Sequence, residues 1–385
     1  MIMLKNFCYF QIIFLSLCII SCTNSKSDLQ DNILGHHVTL IEENDSLLIT
    51  DSLLSSYNRF SIYENTSGNY IYAYNGYFHK IDIFDLNRKG VSCIQLRKEG
   101  ADGLGGDVYS LFVQSPDSIW IYCLPYFYLV DAAGRICKKM ELPYSEGGFI
   151  YLEANFSIST NRLFYHSGRK SLFYLCVTPT ADSATYEVYE YKLQTGDYER
   201  YLLESGELEE KAGQNFGWKQ YPNVSYTDSL IVYNFPITSN IYTISLDSGE
   251  KNVYGGRSKF TSNLVSELVM PYDFATANKH LLENVHFFEV LYDKRRHLYY
   301  RLHLGEVPYS NDVNFYDLYL QKRLYLTVFD ASFRVVNETD LGNEVYNYYN
   351  FWGVTDKGFF LSKRALLADD QENMLRWSYI TTSQL

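Results

Sequence analysis

One pattern constrains this chain more than any other. A short alternating strand, a polar turn and a strand rich in aromatic residues recur six times in order. The pattern stands as FSIYENTSGNYIYAY from Phe60 and as LFVQSPDSIWIYC from Leu111. It returns as FSISTNRLFYHS from Phe156, VSYTDSLIVYN from Val224, VLYDKRRHLYYR from Val290 and FWGVTDKGFFLS from Phe351. The turns hold Ser-Gly, Pro-Asp, Thr-Asn, Thr-Asp, Asp-Lys and Asp-Lys-Gly, the residue types that hairpin turns require.

A second hairpin follows most units, as in KIDIFDLNRKGVSCIQL, YLVDAAGRICKKMEL and LTVFDASFRVVNETDL. A complete unit is therefore a four-stranded antiparallel meander, and six meanders around an axis make a six-bladed β-propeller. The 37 Tyr and 24 Phe suit this all-β reading, because each gives a strand a wide apolar face. The last unit supplies only three strands, FWGV, GFFLS and the run around WSYIT. An open final blade would leave an unpaired edge, which β proteins avoid. The missing strand is expected from Val38-Thr39-Leu40-Ile41 or Leu47-Leu48-Ile49-Thr50. One of these should pair with Trp377–Thr381 as the outermost strand of blade six.

The glycine-rich stretch LRKEGADGLGG, residues 96–106, falls between the fourth strand of unit one and the first of unit two. A phosphate-binding loop would need a strand–loop–helix context, and a P-loop would also need Gly-Lys-Ser/Thr. Neither is present, so the stretch reads as a crossing between blades, where glycine permits positive φ.

The N-terminus has another character. Lys5 is followed by an apolar run from Phe7 to Ile20, ending in Ile19-Ile20-Ser21-Cys22. The run is too short for a comfortable membrane span and reads as a secretory signal. Its end resembles a bacterial lipobox, which implies cleavage before Cys22 and lipid attachment there. The expected organisation is a signal peptide over 1–21, a polar tether over 22–36 and the propeller over 37–385. With Thr23 rather than an acid after the cysteine, the anchor is expected in the outer membrane, with either side open. The net charge is −12, and loss of Lys5 makes it more acidic still. Such a chain is a poor partner for nucleic acid.

With the lipobox, the Lys98-Glu99-Gly100 crossing, the DSIWIY hairpin and the YLVDAAGRI hairpin in view, the chain resembles the six-bladed (TolB-like) β-propeller lipoproteins of Bacteroidetes. These are domains of unknown function. The resemblance implies a fold and a location over roughly residues 37–385, and brings no catalytic residues or cofactor with it.

No Gly-x-Ser-x-Gly elbow and no His-Glu-x-x-His motif occurs. In HLYYRLH, alternation puts His297, Tyr299, Arg301 and His303 on one strand face, a row able to meet an acidic ligand. Cys93, Cys123, Cys137 and Cys176 fall on different strands or blades, so they are expected as free, buried thiols rather than disulfides. Propeller ligand sites usually lie where the second-to-third strand loops and the crossings gather. There the sequence offers Tyr77, Tyr126, Phe127, Trp218 and Phe235 as an aromatic binding surface, and FATANKHLLENV as a helix.

Two functions fit. One is a non-catalytic binding or scaffold module for a glycan, peptide or protein. The other is a hydrolase or lyase working with a channel-bound divalent cation or the His297/Arg301/His303 row.

Overall fold

The computed structural model describes residues 39–383, apart from 49–51, 55, 102, 153, 156–158, 181–183, 206–213, 218–220 and 365–373. The signal peptide, the tether, Cys22 and Trp218 lie outside the described residues.

Six antiparallel sheets form the blades of a propeller. Blade one is typical: Phe60–Asn65, Gly68–Asn75, Lys80–Asp85 and Gly90–Gln95 follow one another as a meander from axis to rim. Blades two, four and five repeat the order, from Ser110, Asn223 and His286. The apolar core lies between the blades. Tyr72, Ile81 and Ile94 of blade one pack against Leu111, Ile119 and Ile121 of blade two in one such layer. Trp352, Phe359, Phe360 and Trp377 of blade six anchor another. Each fully buried large side chain contributes roughly 1.5–3 kcal/mol, so these layers dominate cohesion. The turn of blade two meets the rim strand of blade one at Gly134 (φ +76°). A Cβ there would stand 2.2 Å from the Gln95 carbonyl oxygen, so only glycine fits.

The ring closes between the two ends of the propeller sequence. Strand Leu40–Leu48 pairs antiparallel with Met374–Thr382, from Leu40↔Thr382 to Leu48↔Met374. One strand thus uses part of both runs that the sequence offered. Leu47 turns into the core while Ile41 and Leu48 face out. Ser378 Oγ donates to Glu42 Oε1 at 2.6 Å, adding a polar tie across the same ladder.

Blade three departs from the sequence pattern. Its inner position is shared by Phe149–Tyr151 and Phe164–His166, which pair with opposite ends of Ser171–Pro179. Between them, Ala154–Asn155 pairs with Ser159–Thr160 in a separate two-stranded sheet. Thr160 N donates to Asn223 Oδ1 at 2.7 Å, Asn161 Nδ2 to the Pro222 carbonyl at 2.8 Å, and Leu163 N to Ser110 Oγ at 3.0 Å. Thr160 and Asn161 thus tie blade three to blade four near the axis, and Leu163 ties it to blade two.

Among the described residues there are two helices, α1 (Phe274–Glu283) and α2 (Phe315–Leu320). Asp273 caps α1 by accepting from Thr276 N at 2.8 Å. At its far end the buried Lys322 ammonium donates to the carbonyls of Leu281, Leu282 and Asn284. It thereby satisfies oxygens that a helix end leaves open.

The thiol expectation needs one correction. All four cysteines are free, and Cys123 and Cys176 are buried, but Cys93 and Cys137 are exposed. Both exposed residues sit on rim strands, where one side of the sheet meets water.

Candidate functional site

The meander sorts its connections into two ends. Turns joining first to second and third to fourth strands gather at one, the hairpin end. Second-to-third loops and crossings gather at the other, the loop end. The hairpin end is polar and tied by ion pairs between blades. Arg169 of blade three holds Glu190 of its own blade and approaches Asp247 of blade four at 3.3 Å. Lys294 of blade five pairs with Asp228 of blade four. Arg295 pairs with Glu64 of blade one, over the intervening blade six.

The loop end is different. Among the described residues, every exposed large apolar side chain outside the rim strands lies there. Tyr77 (80 % exposed) and Phe78 stand on blade one, Leu124 on blade two and Tyr144 before blade three. Met270 and Phe274 lie on the crossing into blade five, and Tyr316 on that blade's long loop. Apolar groups concentrated at one end of a ring mark a contact surface.

The axis holds a cavity of about 210 Å³ lined by all six blades. Among the described residues, its ionisable groups apart from tyrosine are Arg162 and Glu289. Arg162 Nη2 lies 2.8 Å from Glu289 Oε1, and the guanidinium sits over the Phe60 ring at 4.5 Å. Burial raises the Glu289 carboxyl to about 7, although Arg162 pulls the other way. One carboxylate is too few for a calcium cage of six to eight oxygens. Among the described residues no group of three or more His, Cys, Asp or Glu is placed to hold a metal. Sequence reading missed this pair. The available signal was a lone acid inside the apolar run HFFEVLYD.

The profile of a domain of unknown function, DUF4221, matches residues 37–340. The chain belongs to the DUF4221 family. A crystallised DUF4221 member from Bacteroides vulgatus ATCC 8482 superposes with a TM-score of 0.74 at 17 % identity, over 91 % of this chain and 99 % of that one. A protein of Bacteroides fragilis NCTC 9343, described as a candidate exported protein, superposes with a TM-score of 0.50 at 11 % identity, over 89 % and 96 %. Both likenesses establish the fold of this DUF4221 chain. No curated protein matches it.

Within this DUF4221 propeller the residues singled out from sequence fall into three groups. Tyr77 is exposed at the loop end, edge-on to Phe78 at 4.8 Å. Tyr126 is half-buried, and Lys139 Nζ covers its ring at 3.8 Å. Phe127 and Phe235 are not surface residues. Phe127 opens an inward-facing position and stacks on Tyr122 at 4.5 Å. Phe235 packs between blades three and four, against Tyr186 and Tyr242.

The histidine–arginine row is corrected too. His297 is exposed in a turn at the hairpin end, with φ of +53° and Nδ1 3.0 Å from Tyr292 Oη. Arg301 and His303 are fully buried in the second strand of blade five. Arg301 donates to the carbonyls of Ser239 (2.6 Å) and Gly256 of blade four and its crossing. Burial lowers it to about 9. His303 Nε2 lies 3.2 Å from Ser258 Oγ and 3.6 Å from Glu338 Oε1, and burial, aided by Arg301, holds it well below the usual imidazole range. These two side chains clamp blade four to blade five and offer no face to a ligand. The helix predicted over FATANKHLLENV is present as α1.

Proposed function

We propose that the chain is a non-catalytic binding module, held at the outer membrane by a lipid on Cys22, that grips a protein or peptide partner through its loop end. The observation that supports this reading is the one-sided placement of exposed apolar side chains. Aliphatic groups such as Leu124, Val269 and Met270 stand among the aromatics there. Sugars stack on flat rings, whereas a mixed aliphatic and aromatic surface suits an apolar polypeptide.

The test is photo-cross-linking in cells. A photoreactive residue at Tyr77 or Tyr316 should give a discrete protein adduct, and one at Lys170 or Asp247, at the hairpin end, should not. Equal adducts from both ends, or none from the loop end, would refute the docking surface. Saturable glycan binding that is lost in Tyr77→Ala would replace the polypeptide by a sugar. Separately, Cys22→Ala should abolish lipid labelling, and labelling that persists would remove the anchor.

A further inference from the structure

The axial cavity has a construction independent of the loop end. Six side chains, one from the inner strand of each blade, ring it: Ile62, Phe112, Phe164, Tyr226, Leu291 and Val354. All six are only half-buried although they stand at the centre of the ring. Their remaining surface faces the cavity. The wall is divided. Phe112 meets Phe164 edge-on at 5.4 Å, and Phe164 stacks on Tyr226 at 5.0 Å. This gives an aromatic side on blades two to four. Ile62, Leu291 and Val354 give an aliphatic side on blades one, five and six. A slot between two apolar walls admits a flat, apolar body.

Size bounds that body. Apolar cavities of about 150 Å³ accept benzene, and this one is about 210 Å³. There is room for one ring and a small substituent.

Charge then selects the substituent. The Arg162 side chain is 20 % exposed and the Glu289 side chain 2 %. Of the two, the guanidinium is the charge presented to the cavity. Its Nε and Nη2 are enclosed, Nη2 against Glu289, so a carboxylate meets it through Nη1. The polar groups nearby are occupied within the protein: Ser61 Oγ accepts from Val113 N, and Ser225 Oγ donates to the Val290 carbonyl. At the hairpin end the exposed Glu64–Arg295 pair spans from blade one to blade five. Exposed pairs of this kind open at little cost.

The geometry points to a binding site for a small aromatic carboxylate in the axial cavity, with its ring between the two walls and its carboxylate on Arg162. Where it is ionised, Glu289 is the internal anion that balances the guanidinium when the site is empty.

Calorimetric titration of the folded chain tests this. Benzoate, 4-hydroxybenzoate and phenylacetate are the probes, with benzylamine as the charge-reversed control. At least one acid should saturate at one per chain, with no saturable heat from the amine. Arg162→Met should weaken the acid by about tenfold or more. Glu289→Gln should preserve or strengthen it, by removing the competing anion. Val354→Phe, which fills the slot without touching the charges, should abolish it, and carries the test if Arg162→Met does not fold. Preference for benzylamine, no saturation by any acid at millimolar concentration, or acid binding indifferent to Val354→Phe would each overturn the assignment.

Discussion

Arg162 of blade three and Glu289 of blade five lie 2.8 Å apart at the axis, with a whole blade between them in sequence. The carboxyl pays more for burial than it regains from the guanidinium, so it holds its proton up to about 7. In the unfolded chain it releases that proton near the ordinary Glu value, about 4.3. Between these two values the folded state binds more protons, so stability falls as pH rises through the window. The whole change is on the order of 3 kcal/mol. Chemical denaturation from pH 4 to 8 should show the wild type losing stability relative to Glu289→Gln. Parallel pH profiles would disprove the raised carboxyl.

Arg301 predicts a structural role by its loss. Arg301→Ala strands the Ser239 and Gly256 carbonyls inside the protein, at a cost of roughly 2–5 kcal/mol. Arg301→Lys should not restore it, because an ammonium does not reproduce the planar fork. Urea unfolding measures both. A ligand-binding arginine would instead leave stability nearly unchanged.

The closing ladder makes a contrast between neighbours. Leu47 is 1 % exposed and Leu48 is 65 % exposed on the same strand. Leu47→Ala should cost about 2–5 kcal/mol, and Leu48→Ala no more than about 0.5 kcal/mol. Deleting residues 23–36 should be tolerated, and deleting 23–50 should destabilise the whole ring. Equal melting points for the two deletions would show that the clasp contributes nothing.

The cysteines divide by position. Cys93 and Cys137 should react with an aromatic disulfide reagent in the native protein, and Cys123 and Cys176 only after unfolding. Burial raises the Cys123 thiol to about 12, which suppresses its thiolate further. Four fast thiols, or none, would contradict the placement.

The fold was legible because its signal is local and repeated. Each hairpin carries its own alternation and turn chemistry, and counting strands exposed the one missing from blade six. The sites were less legible for a physical reason. Alternation tells which residues share a face, and not whether that face meets water. Arg301 and His303 share a face as expected, but blades four and five cover it. Phe127 and Phe235 sit at the ends of strands beside loops, and one residue decides whether a ring points out or in. Arg162 was hidden because blade three breaks its inner strand, and no periodicity marks where the excursion returns to the axis.

The clasp between Leu40–Leu48 and Met374–Thr382 also sets an order of events in time. The strand made first completes the blade made last. Until the C-terminal strand has emerged, the early strand has no partner. Closure joins residues from opposite ends of the propeller sequence, the kind of contact that slows folding. A chain built this way stays an open ring until its last strand is in place.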